Sequence, residues 1–163
     1  MKILEGQLVP GDRSFAIVAS RFNDFVVRRL VDGCADTLRR HGVDDERITL
    51  AWVPGALEIP QAARRLAESG RYAAVVALGC VIRGETSHYD LVCRGAAEGV
   101  AAVARDTGVP CAFGVLTTDN LEQAIARAGA KSGNKGADAA LAALEMADLL
   151  PRLGGGEGRG KVR

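Results

Sequence analysis

Between Leu78 and Arg94 an apolar run ends at Gly79 and passes through Cys80, Val81, Ile82, Arg83, Gly84, Glu85, Thr86, Ser87 and His88 into an amphipathic pattern. A polar turn between a strand and a helix is where open α/β sheets place their ligands. Gly84 lets the backbone approach a bound group closely. Thr86 and Ser87 are capping residue types, and the free N–H groups of a first helical turn favour an anion. His88 stands beside that turn, and an imidazole both gives and takes protons near neutral pH. The chemistry on offer is proton transfer next to an anion pocket; the bland alternative is a capped turn carrying a surface histidine.

Other residues of the right type lie on other loops. Phe22 follows the polar pair Ser20-Arg21, so its ring either covers a planar ligand or staples onto the helix behind it. Glu58 either compensates a helix dipole or accepts hydrogen bonds from ligand hydroxyls. Arg127 sits among Ala124, Ile125, Ala126 and Ala128, where a solvated basic face is the plain reading, and Phe113 falls inside an apolar run that reads as core. Lys135, in Gly133-Asn134-Lys135-Gly136, is flanked by glycines that permit unusual backbone angles, or it belongs to a cap between two helices. The chain has no G-x-x-x-x-G-K-[ST] loop and no G-x-G-x-x-G after its first strand, which removes the common nucleotide sites. A phosphoacceptor site would need acidic residues where Ser20, Arg21 and Phe22 stand. His41 and His88 do not make a metal cluster by themselves.

These loops need a frame. Apolar runs at 14–19, 48–53, 73–79 and 111–116 read as strands. Helical periodicity falls between them. Val27, Leu30, Val31, Cys34, Ala35 and Leu38 mark a helix over 24–41, with Asn23 as its N-cap and Gly42 beyond its end. A second helix carries Leu66 and Ala67 and stops at Gly70. A third carries Leu91, Val92, Ala96, Val100 and Val103 and ends near Gly108. Further helices follow at about 121–128 and 135–149. Continuous apolar strands alternating with helices predict a four-stranded parallel sheet covered on both faces, a three-layer α/β sandwich. Its strand C-termini would gather the loops 20–23, 53–58, 80–88 and 116–120 on one edge. Residues 1–9 can form a strand outside this alternation, pairing with a neighbouring subunit.

The 163 residues suit one domain over 1–153, followed by a disordered Gly-rich tail over 154–163. With 21 Lys and Arg against 20 Asp and Glu, the net charge of +1 gives no electrostatic case for nucleic acid or an anionic membrane. No apolar run approaches the roughly 18 residues of a membrane span. No secretory pattern follows Met1, so a cytoplasmic location is expected. Cys34, Cys80, Cys93 and Cys111 lack C-x-x-C spacing and sit in apolar segments, which predicts buried free thiols.

Five motifs in order resemble the 6,7-dimethyl-8-ribityllumazine synthase family over residues 14–150. They are Ser20-Arg21-Phe22-Asn23, Val53-Pro54-Gly55-Ala56-Leu57-Glu58-Ile59-Pro60, the segment from Ala77 to His88, Phe113-Gly114-Val115-Leu116-Thr117-Thr118-Asp119-Asn120, and Gly133-Asn134-Lys135-Gly136. The resemblance implies a flavodoxin-like fold and a transferase of riboflavin biosynthesis. Such an enzyme joins 5-amino-6-(D-ribitylamino)uracil to 3,4-dihydroxy-2-butanone 4-phosphate without metal or other cofactor. Carried over by motif, Phe22 stacks on the pyrimidine, and Ala56, Leu57 and Glu58 hold the ribityl chain and ring edge. Cys80, Val81 and Ile82 add contacts from the strand end, largely through backbone. Glu85 and Thr86 present N–H groups to the phosphate, Arg127 supplies its counter-charge, and His88 is the proton donor. The resemblance also implies a pentamer in which Phe113 and Arg127 reach the neighbour's pocket, an icosahedral shell of pentamers, and association with riboflavin synthase. Cys80 and Ser87 replace residues more often Ala and Pro in the family, and Ala130 and Ser132 depart from its usual turn. The rival readings are a noncatalytic lumazine- or flavin-binding shell protein and a flavodoxin-like signalling module.

Overall fold

Side chains alternate along a strand, so β1 (Phe15–Ser20) sends Phe15, Ile17 and Ala19 to one side of the sheet and Ala16 and Val18 to the other. All six residues are buried, and a strand buried on both faces needs a helical layer on each. The computed structural model, which describes residues 1–154, supplies both layers. In chain order β1 is followed by α1 (Asp24–Arg40), β2 (Ile48–Val53), α2 (Ile59–Glu68), β3 (Ala74–Ile82), α3 (His88–Thr107), β4 (Cys111–Thr118) and α4 (Leu121–Arg127). The hairpin strands β5 (Ala128–Ala130) and β6 (Gly133–Asn134) and the last helix, α5 (Lys135–Leu153), complete it. The main sheet is parallel with the order β2-β1-β3-β4. Residues of α1, α4 and α5 share one core with Phe15, Ile17, Val76 and Leu78. Those of α2 and α3 share the other with Ala16, Val18, Val75 and Ala77. The expected three-layer α/β sandwich is therefore the fold.

Where boundaries differ from expectation, hydrogen bonding outruns hydrophobicity. β3 continues to Ile82 instead of stopping at Gly79, because β4 continues with it, pairing Cys80 with Leu116, Val81 with Thr117 and Ile82 with Thr118. The threonines hide this extension from an apolar pattern, yet Thr118 is buried. The segment between α4 and α5 forms the β5–β6 hairpin, turning at Lys131 and Ser132, with Gly133 at φ 74° where β6 begins. Asn134 then caps α5 by accepting from the N–H groups of Gly136 and Ala137 at 2.8 and 3.2 Å. α5 runs four residues past the expected 149, through Pro151, with Arg152 bonded back to Asp148 at 3.0 Å.

Residues 1–14 contain no strand. Their backbone is held by α5 instead: the Gln7 N–H donates to Asp148 at 3.0 Å, and Arg152 donates to the Glu5 carbonyl at 2.7 Å. The segment pairs with neither edge strand of the sheet, β2 or β4. Beyond Gly154, the expected Gly-rich tail lies outside the described residues.

Candidate active site

The order β2-β1-β3-β4 reverses direction between β1 and β3, so the loops leaving their C-termini part and open a crevice. After β1, the chain is tied sideways. The Arg21 N–H donates to the Val53 carbonyl at 2.8 Å and the Phe22 N–H to the Pro54 carbonyl at 3.1 Å. Asn23 adopts the left-handed region with φ 59° and does not cap α1 through its side chain, contrary to expectation. Its Nδ2 donates instead to the Cys80 carbonyl at 2.9 Å, joining the β1 loop to the β3 terminus. The result leaves Phe22 72% exposed, its ring on the rim of the crevice and not stapled onto α1.

The crevice encloses about 470 Å³, within the usual range of small-molecule pockets. Phe22, Ala56, Leu57, Glu58, Cys80, Val81, Ile82, Thr86 and His88 all line it. Nine of the residues that the resemblance implies, on separate loops, thus meet around one volume. Glu58 ends a single 3-10 turn, Ala56–Glu58, at the junction with α2. Leu57 packs so closely on α3 that a Cβ at Gly95 would lie 2.7 Å from its Cδ2. His88 is the first residue of α3 and is exposed, as are Glu85 and Thr86 in the turn before it. Ser87 holds the N-cap position without a side-chain bond to the helix. Thr86 Oγ1 accepts weakly from the His88 N–H at 3.4 Å, so the expected cap is a loose turn.

Glu85, Phe113 and Arg127 do not line this volume. Phe113 is 43% exposed on the edge strand β4, and Arg127 closes α4 with its guanidinium donating to the Gln123 carbonyl at 3.1 Å. Lys135 pairs with Asp138 at 2.7 Å on the surface. Pro54, Gly55, Gly84, Tyr89 and Val92 complete the lining. Pro54 and Gly55 were visible in the sequence as part of a motif and Gly84 as a flexible point. Val92 was legible only as a core position, and for Tyr89 no sequence signal distinguished a wall residue from a helical face.

Burial pushes the Cys80 thiol up to about 11, so it stays protonated and offers the pocket its backbone and bulk, not a nucleophile. Desolvation likewise raises Tyr89. Among the described residues no group of three or more His, Cys, Asp and Glu side chains could hold a metal ion. Nor is any described helix long and apolar enough to cross a membrane.

A doubly wound parallel sheet with a cavity of small-molecule size at its switch point, walled by an aromatic ring, a carboxylate and an imidazole, defines a flavodoxin-like α/β protein. Residues 12–151 match the protein family described as 6,7-dimethyl-8-ribityllumazine synthase. The chain belongs to that family of transferases, which act on small molecules in riboflavin biosynthesis and form homo-oligomers.

Proposed function

We propose that this chain condenses 5-amino-6-(D-ribitylamino)uracil with 3,4-dihydroxy-2-butanone 4-phosphate to give 6,7-dimethyl-8-ribityllumazine, phosphate and water. The observation that carries the reading is the convergence of Phe22, Glu58, the Cys80–Ile82 strand end, Thr86 and His88 on one cavity. Phe22 stacks on the pyrimidine, Ala56 and Leu57 line the ribityl chain, and Glu58 accepts its hydroxyl hydrogen bonds. Cys80, Val81 and Ile82 at the end of β3 contact the ring edge, largely through backbone.

The chemistry then needs protons moved and one anion expelled. The uracil amine adds to the ketone carbonyl, and loss of water leaves a C=N bond. A proton leaves carbon as the phosphate departs, and the second amine closes the ring with loss of another water. His88 exchanges these protons, a role that suits an imidazole. Holding both substrates in one cavity removes much of the entropic barrier, on the order of 7–11 kcal/mol for well-oriented reactants. The N–H groups of Glu85 and Thr86 at the α3 terminus receive the phosphate.

Phe113 and Arg127 enter this reading from the neighbouring subunit of a pentamer, which is why they stand outside their own chain's cavity. Residues 1–9 pair with that neighbour's sheet. The pentamers form an icosahedral shell, in the cytoplasm, that can associate with riboflavin synthase. The deciding experiment mixes the purified protein with both substrates and follows the lumazine chromophore. Formation above the uncatalysed rate, insensitive to chelator, supports the reading. No acceleration by a folded oligomer would leave a lumazine- or flavin-binding shell protein.

A further inference from the structure

Arg83 is placed one residue past the end of β3, between the strand end that lines the pocket and the turn that carries Thr86 and His88. Its backbone N–H donates to the Thr118 carbonyl at 2.8 Å, extending the β3–β4 ladder by one bond. Its guanidinium reaches three elements. Nε donates to Asp119 just beyond β4 at 2.9 Å, and Nη1 lies 3.5 Å from Asp90 in the first turn of α3. The guanidinium carbon stands 4.2 Å from the centre of the Tyr89 ring, a cation–π distance. Tyr89 is itself buried and lines the cavity.

The turn between Gly84 and Ser87 has little of its own to fix it. All four of its residues are exposed, and its internal bonds are the weak one from the His88 N–H to Thr86 and one at 3.1 Å from the Asp90 N–H to the Ser87 carbonyl. His88 shares its backbone with Tyr89 and Asp90, so whatever holds those two residues sets the position of the imidazole. We propose that Arg83 is a positioning residue: by bridging Asp119, Asp90 and Tyr89 it locks the first turn of α3, and with it His88 and the anion-binding turn, against the β3 terminus. This rests on the proposed synthase reading for its catalytic consequence but not for its structural one.

A planar guanidinium can stack and donate in two directions at once, whereas the lysine ammonium is a point charge. Exposed ion pairs contribute little to global stability, so the effect belongs in the site and not in the melting temperature. In the full-length protein, Arg83→Ala is expected to leave Tm nearly unchanged while amide hydrogen exchange in residues 84–90 accelerates. Turnover should fall about tenfold or more, given that a misplacement of about 1 Å costs up to 10²-fold, and KM for the butanone phosphate should rise while that for the ribitylaminouracil holds. Arg83→Lys should recover only part of both, and Asp119→Asn should add little on top of Arg83→Ala.

Unchanged exchange in residues 84–90 would overturn the clamp, as would full recovery by Arg83→Lys or loss of turnover matched by a large fall in Tm. Should the unsubstituted protein make no lumazine, the synthase reading would fall. Accelerated exchange in Arg83→Ala would then still support the clamp.

Discussion

His88 and Arg127 divide the proposed chemistry between proton transfer and charge, and each makes a separable prediction. His88→Ala should lower kcat by about 10²-fold or more, the usual scale of a general acid–base contribution, while pyrimidine binding measured by fluorescence titration stays nearly intact. Arg127→Ala should chiefly raise KM for the phosphate substrate. Full kcat in His88→Ala would remove the imidazole from the mechanism. The two stand on different elements, His88 in the cavity and Arg127 outside it.

The elements around the site are held by a few backbone-directed contacts. Asn23 combines a left-handed backbone with a bond to the Cys80 carbonyl. Asn23→Ala should therefore cost about 2 kcal/mol, roughly half from each. Asn23→Gly should recover the backbone part but not the weakened pyrimidine binding, which denaturation and titration on the same samples can separate. On the opposite face α5 begins with Gly136 pressed against α1, where an added Cβ would collide with the Leu30 carbonyl oxygen. Gly136→Ala should destabilise by at least about 1–3 kcal/mol, read as a drop in the urea midpoint, because neither helix can yield without disturbing the core between them.

At the scale of the molecule two properties emerge from many parts together. Burial holds the thiols of Cys34 and Cys111 at about 12, above their ordinary 9.0. The unfolded chain ionises these thiols first, so their contribution to stability is intact below about pH 9 and is lost as pH rises toward 12. The Tm of Cys34→Ala should fall less steeply between about pH 9 and 11 than that of the unsubstituted protein. The second property is shared sites. If His88 and Arg127 come from adjacent subunits, His88→Ala and Arg127→Ala chains refolded together in equal amounts, and assayed at a butanone phosphate concentration low enough that each alone is nearly silent, should regain about a quarter of full activity, the share of interfaces that draw both intact residues. Zero recovery would confine each site to one chain.

The alternation of apolar runs with helical periodicity was enough to determine the sheet, its helices and its loop-bearing edge, because burying β1 and β3 on both faces permits few other arrangements. The five ordered motifs likewise identified the family, and the resemblance they carry named nine of the residues around the cavity. Ladder bonds, however, ignore side-chain type. The extension of β3 and β4 through Thr117 and Thr118 and the β5–β6 hairpin were therefore decided by pairing. Asn23 read as a cap because its side chain suits that task, and only the approach of β3 gave it a stronger partner. Tyr89 became a cavity wall and Arg83 a bridge through contacts with residues up to 36 positions away. Local sequence encodes which segments are apolar and where they turn; which polar groups meet across the sheet edge depends on the register and packing of all of them at once.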